Sequence, residues 1–316
     1  MNLSEALAAG PLLTDGGWAT ELQSLGLGFD ECPDAWNLSH PSKVEQVARS
    51  YVEAGSQIVL SNTFRANRIS LAGFGLADRV VEINRKGAAI SKLAAGGQAL
   101  VFASIGPSGK SLGNVDVTPE EVLAVFTEQA RALAEGGADA LVVETMVDLD
   151  EATIALRAAL TTRLPVVMSF VFDIGKNKDR GMPRFTPERA AAVMEAEGAF
   201  AVGGNCGNGI EAFVPLCARL RAATKLPVWI KANAGLPKIV HGKAVYATTP
   251  EEFASHVKPL VDAGANFVGG CCGTNPAFIR VAAERLAAIR PRFDMLRTTS
   301  DIRPEKSALI AFLKTF

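Results

Sequence analysis

A closed (β/α)8 barrel, forming one domain with a short C-terminal extension, is the fold class this sequence predicts. Three observations carry that reading. Short runs rich in Val, Ile, Leu and Phe recur along the chain without polar alternation, as parallel strands buried on both faces require. A helical stretch lies between each run and the next. Eight such units fit into about 290 residues, a length within the range of this barrel. A doubly wound open sheet is the competing architecture, but it usually has fewer strands, and no G-x-G-x-x-G follows the first run.

The strand runs are residues 12–15, 57–62, 99–105, 140–144, 165–172, 200–204, 227–232 and 266–270. The helical stretches are 41–54, 77–94, 119–135, 149–160, 187–197, 210–223, 250–263 and 276–289. Residues 41–54 show the expected face, with Val44, Val47, Ala48 and Tyr51 together. Pro119, Pro187, Pro250 and Pro276 stand where a first helical turn tolerates proline, and Thr118, Thr186 and Thr249 precede three of them as N-caps. Asp148 caps 149–160, with Glu151 placed to complete a capping box. Gly55, Gly137, Gly198 and Gly264 end helices just before strands, so one tight helix-to-strand turn repeats around the chain. Residues 1–290 form the barrel domain and 291–316 the extension. Within the extension, 307–316 reads as a helix apolar on one face, suited to pack on the barrel or to join two copies in a homo-oligomer.

Composition narrows the function. The net charge of −1 offers no broad field for nucleic acid or an anionic membrane surface. No apolar run spans a bilayer, and residues 1–10 lack the basic and apolar regions of a signal peptide. Five cysteines, two of them adjacent, do not suit a disulfide framework. A reducing cytoplasm is the expected compartment, and clustered cysteines there bind metal or do chemistry.

In such a barrel the active site collects at the C-terminal ends of the strands. Those ends deliver Asp15-Gly16-Gly17-Trp18-Ala19, Asn62-Thr63-Phe64, Ser104, Glu144-Thr145, Asp173, Asn205-Cys206, Lys231-Ala232-Asn233 and Cys271-Cys272-Gly273. Cys206, Cys271 and Cys272 supply three thiolates from two strand ends, a three-ligand site for a soft or borderline metal, with zinc the first choice. Asn233, at the strand end between them, is the candidate for a fourth, displaceable ligand. Cys217 falls at core spacing with Phe213, Val214 and Leu220, and Cys32 reads as structural, with a fourth metal ligand as its alternative. Asp15 and Glu144 admit three readings: a glycosidase carboxylate pair, two acids holding a ligand's ammonium group, or a turn and a rim ion pair. The Gly16-Gly17-Trp18-Ala19 turn offers backbone N–H groups for a carboxylate. No His40, His241 or His256 environment suggests a ligand or a catalytic triad.

Taken together, Asp15-Gly16-Gly17, Asn62-Thr63-Phe64, Glu144, Gly204-Asn205-Cys206 and Gly269-Gly270-Cys271-Cys272-Gly273-Thr274 resemble the homocysteine S-methyltransferase family, over about residues 8–290. That family includes betaine–homocysteine methyltransferase and the homocysteine-binding module of cobalamin-dependent methionine synthase. Asn233-Ala234-Gly235-Leu236-Pro237 and Pro33-Asp34-Ala35-Trp36-Asn37 are closer to the methionine-synthase module, although Ala232 stands where that module has proline. The resemblance implies a zinc barrel in methionine biosynthesis. Cys206, Cys271 and Cys272 hold the metal, Asp15 and Glu144 hold the homocysteine amino group, and amides around Gly17, Trp18 and Ala19 hold its carboxylate. The implied reaction is in-line attack of a zinc-bound homocysteine thiolate on a methyl group. A small molecule or a separate corrinoid protein is the donor. The open alternatives are a methyltransferase for another thiol, a barrel hydrolase or lyase using zinc-bound water, and a non-enzymatic subunit with a structural metal.

Overall fold

The structure, a computed structural model, describes residues 2–110, 112, 117–175, 179–182, 185–240 and 243–298. The helix expected at 307–316, and His241, lie outside them. The strands are β1 (Leu12–Leu13), β2 (Ile58–Leu60), β3 (Leu100–Ile105), β4 (Ala140–Met146), β5 (Val166–Phe170), β6 (Ala201–Gly209), β7 (Val228–Asn233), β8 (Lys238–Val240), β9 (Lys243–Val245) and β10 (Ala265–Gly270). All eight expected runs are strands of one parallel sheet, ordered β1-β10-β7-β6-β5-β4-β3-β2. Helices between the strands cover the outside, giving the α/β barrel architecture.

The sheet closes at a seam between β1 and β2. There the Gln57 N–H donates to the Leu13 carbonyl at 2.8 Å, and the Leu13 N–H reaches the Gln57 side-chain oxygen at 3.3 Å. The Leu60 N–H, with no carbonyl opposite, donates to the Asp15 carboxylate at 2.7 Å. A strand of only two residues is completed by a side chain.

Alternate residues of each strand face inward. Leu12, Ile58, Leu60, Leu100, Phe102, Val142, Val167, Trp229 and Phe267 fill the barrel. Phe102, Trp229 and Phe267 form an aromatic layer with ring centroids 5.2–6.1 Å apart. The helix Leu3–Ala8, unmarked in the sequence reading, closes the lower end by packing Leu3, Ala6 and Leu7 against this interior. The outward set, including Val59, Val101, Leu141, Val143, Val202 and Ile230, packs under the helices in a second core. Among the described residues no helix is long and apolar enough to cross a membrane.

Four local expectations need correction. The helix expected at 250–263 is two helices, Pro250–Ser255 and Val257–Asp262. Pro259 cannot donate to an earlier carbonyl, and its ring crowds the carbonyl of Ser255. Glu151 does not close a capping box: its carboxylate accepts the Ser108 N–H at 2.8 Å and the Ser108 hydroxyl, while Asp148 alone caps the helix. The last barrel helix runs from Pro276 to Thr298 rather than stopping at 289. The antiparallel β8–β9 hairpin was not anticipated.

Candidate metal centre

Two irregularities in the sheet build the site. Between Asn205 and Gly209, β6 advances four positions while β7 advances two, from Lys231 to Asn233. The surplus bends the strand out of register, and Cys206 takes a left-handed φ of 58° followed by Gly207 at 73°. On β4 the register slips by one residue between Val143 and Met146, where Thr145 has φ 62° beside Glu144. Left-handed backbone costs a non-glycine residue roughly 1–3 kcal/mol and persists only when its surroundings hold it.

Asn205 does the holding. It is fully buried. Its side-chain oxygen accepts the Thr145 N–H at 2.9 Å and the Ser169 hydroxyl at 2.6 Å, and its amide donates to Thr145 Oγ1 at 2.7 Å. One side chain therefore ties β4, β5 and β6 together at the level of Glu144 and Cys206. Asn205→Ala would leave the buried Ser169 hydroxyl without its acceptor, worth about 1–3 kcal/mol, and the half-buried Thr145 N–H and hydroxyl without their partner at a smaller cost. We expect it to lower metal affinity roughly 10–100-fold while the barrel still folds. Chelator competition and circular dichroism check the two halves, and unchanged affinity would contradict this role for Asn205.

Beyond β10, the Cys271 N–H donates to the Ala232 carbonyl at 2.7 Å and the Cys272 carbonyl accepts from Ala234 N–H at 3.0 Å, which seats both cysteines against the end of β7. Thr274 locks the turn, donating its hydroxyl to the Cys271 carbonyl at 2.7 Å. The Gly17 N–H donates to Thr274, and the Tyr51 hydroxyl donates to the Gly17 carbonyl at 2.9 Å. A Cβ on Gly17 would lie 2.7 Å from the Cys271 carbonyl oxygen, and one on Gly16 2.8 Å from Tyr51 and Thr274, so both glycines permit close packing of the two turns. Tyr246, just after the hairpin, lays its ring against Gly273, where any side chain would collide with it.

The three sulfurs meet. Cys206 Sγ lies 3.2 Å from Cys271 Sγ and 3.7 Å from Cys272 Sγ, and all three lie within 4.8 Å of one another. Three ligands of a tetrahedral zinc, each about 2.3 Å from the metal, stand ~3.8 Å apart. Nearby on the same rim, the Asn233 Oδ1 is buried without a hydrogen-bond partner, a lone pair left for a cation at the strand end between the cysteine loops. The residues present fit a zinc ion. Hydrogen bonding to its two neighbours pushes the Cys206 thiol up, and accepting from them pulls the Cys272 thiol down. Cys217 is buried in the core, and Cys32, its thiol raised to about 11 by burial, faces Asp34; neither joins the cluster.

A polar layer lines the same strand ends. Glu144, 7% exposed, accepts the Ser104 hydroxyl. Burial, reinforced by the neighbouring Cys271 sulfur, raises its carboxyl to about 7. Asp15 is fully buried, bonded to Lys231, to the Leu60 N–H and to Trp18 Nε1 at 2.7 Å. Sequence reasoning placed Lys231, Ser104 and Asn205 at strand ends without giving them roles. It placed Tyr51 only on the apolar face of a helix and missed Tyr246; neither carries a chemical signature along the chain.

A family model described as homocysteine S-methyltransferase matches residues 12–286. The chain belongs to that family. It is 31% identical to methionine synthase of Mycobacterium tuberculosis over 312 residues, covering 92% of this chain and 26% of that protein. The methionine synthase of Mycobacterium leprae is 30% identical, with 90% and 25% covered. The chain thus spans about a quarter of the length of these relatives. Among solved structures, the metallated form of the homocysteine methyltransferase MmuM from Escherichia coli superposes with a TM-score of 0.74 at 23% identity, covering 87% of this chain and 96% of that one. The carboxyl transferase domain of Rhizobium etli pyruvate carboxylase, at 16% identity and TM-score 0.51, shares only the fold.

Proposed function

We propose that this chain transfers a methyl group to the thiol of homocysteine, giving methionine, at a zinc centre held by Cys206, Cys271 and Cys272 with Asn233 as a displaceable fourth ligand. The observation that carries the reading is the convergence of three thiol sulfurs on one rim, with the buried Glu144 carboxylate at another strand end of the same barrel. Zinc supplies a Lewis acid that favours the thiolate of a substrate whose thiol otherwise has a pKa near ~8.5.

The chain's own groups bind and orient. Glu144 offers its carboxylate to the substrate ammonium, and the arriving cation holds it ionised against the upward push of burial. The N–H groups of Trp18 and Ala19, at the start of the helix Trp18–Ser24, face the substrate carboxylate. Gly16 and Gly17 serve by bringing that turn against the cysteine loop, since the Gly17 N–H is already given to Thr274. Methyl transfer is an in-line displacement, so alignment supplies most of the acceleration and no general base is needed once the thiol is ionised.

The methyl donor is a small molecule or a separate corrinoid protein. Zinc-loaded protein should make methionine from homocysteine with one member of a panel comprising a methyl-corrinoid protein, S-methylmethionine, S-adenosylmethionine and a betaine. No methionine from any donor, together with no homocysteine binding, would contradict the reading. Asn233→Ala should weaken zinc binding only modestly, roughly 3–10-fold, because water can replace an amide oxygen. Chelator competition measures it, and complete metal loss would make Asn233 a structural ligand instead.

A further inference from the structure

The interior of the site holds a cation for which thiol methylation gives no use. Lys231 is 2% exposed and follows Trp229 on the inward face of β7, one layer above the aromatic plug. Its ammonium pairs with Asp15 Oδ1 and donates to the Asp15 backbone carbonyl at 3.0 Å. The other carboxylate oxygen, Oδ2, accepts the Leu60 N–H and Trp18 Nε1–H, both at 2.7 Å. An ionised carboxylate offers about four acceptor positions. Asp15 thus has most of them filled from within the protein, and its charge is balanced by a partner as buried as itself. Withdrawing Lys231 to admit a substrate cation would strand a buried ammonium, a strongly unfavourable change.

Glu144 is in the opposite condition. Its hydrogen-bond donor is the neutral Ser104 hydroxyl, and among the described residues no basic side chain lies within ion-pair distance of it. Resting on the homocysteine reading, we propose that Lys231 is a specificity-determining residue: by occupying Asp15 it leaves Glu144 as the single carboxylate that takes the substrate's ammonium group. Asp15 then acts as the brace of the β1–β2 seam and of Trp18. The site reads an amino acid through one acid, where the family resemblance implies two.

The test compares calorimetric affinities of zinc-loaded protein for L-homocysteine and for 4-mercaptobutyrate, which keeps the thiol, the chain and the carboxylate but lacks the amine. Wild type should prefer homocysteine roughly tenfold or more, as expected for one charge-assisted bond in a partly desolvated site. Glu144→Gln should bring the two affinities to within about twofold of each other with zinc content unchanged, since no second acid remains to read the amine. Lys231→Met, if it folds and keeps zinc, should raise the preference for homocysteine by about tenfold because Asp15 becomes free. A Glu144→Gln protein that still prefers homocysteine tenfold would show Asp15 reading the amine and overturn the proposal. A folded, zinc-loaded Lys231→Met protein with an unchanged or lower preference would overturn it as well. If Lys231→Met does not fold, the Glu144→Gln arm decides alone. Wild type binding neither thiol would be a different failure, removing the homocysteine reading itself and the proposal with it.

Discussion

Replacing Cys206, Cys271 or Cys272 by alanine is expected to abolish stoichiometric zinc and, with it, methyl transfer. Outer-shell partners of a metal typically contribute 10–100-fold in affinity, so removing one of three thiolate ligands should cost more than about 100-fold. The loss should be alike at the three positions, because the sulfurs form one cluster within 4.8 Å. Cys217→Ala is the control. Its sulfur is buried 3.7 Å from the Leu260 carbonyl, away from the rim. It should retain full zinc and lose only about 1 kcal/mol of stability through the small void left behind. Elemental analysis and chelator competition read the outcome. A Cys271→Ala or Cys272→Ala protein that keeps one zinc per chain would refute the ligand set.

The largest expected loss of stability lies at Gly203. This residue faces Ser169 on β5 and Trp229 on β7 in register. A Cβ there would overlap the Trp229 carbonyl group, deep inside van der Waals contact. That carbonyl belongs to a strand paired on both sides, so neither partner can yield without breaking a ladder. Gly203→Ala should therefore cost about 3 kcal/mol or more, toward the upper end for point substitutions. It should also weaken zinc binding, because Cys206 is three residues along the same strand. Gly73→Ala provides the contrast: φ there is −61° and the nearest atom to an added Cβ is 3.5 Å away. It should be neutral or slightly stabilising. Thermal unfolding of the two variants side by side measures the difference, and equal midpoints would contradict the packing argument.

Much of this architecture could be read from the chain because the barrel is a repeated local pattern. Each buried parallel strand is a short unbroken apolar run, and each helix carries its own punctuation, such as Thr118 accepting from the Glu121 N–H and Thr249 from the Glu252 N–H. The strand-end rule then placed Cys206, Cys271 and Cys272 on one rim. What could not be read depends on contacts between distant segments. The pairing of Lys231 with Asp15 joins residues 216 positions apart. It becomes visible only when β7 and β1 are known to flank β10 with both side chains inward. Glu151 satisfied every local rule for a capping box, yet a serine 43 positions away claimed its carboxylate. The hairpin Lys238–Val240 and Lys243–Val245 was too short to register as strands. The bulge at Asn205-Cys206 is a register effect, set by what β7 does opposite it.

The central claim is that three protein sulfurs hold a zinc whose remaining position is taken by the substrate thiol. X-ray absorption at the zinc edge, recorded on the zinc-loaded protein with and without homocysteine, addresses it most directly. The account predicts three sulfurs and one light atom before substrate and four sulfurs after it. Four sulfurs before substrate, or an unchanged sulfur count on saturation with homocysteine, would contradict it.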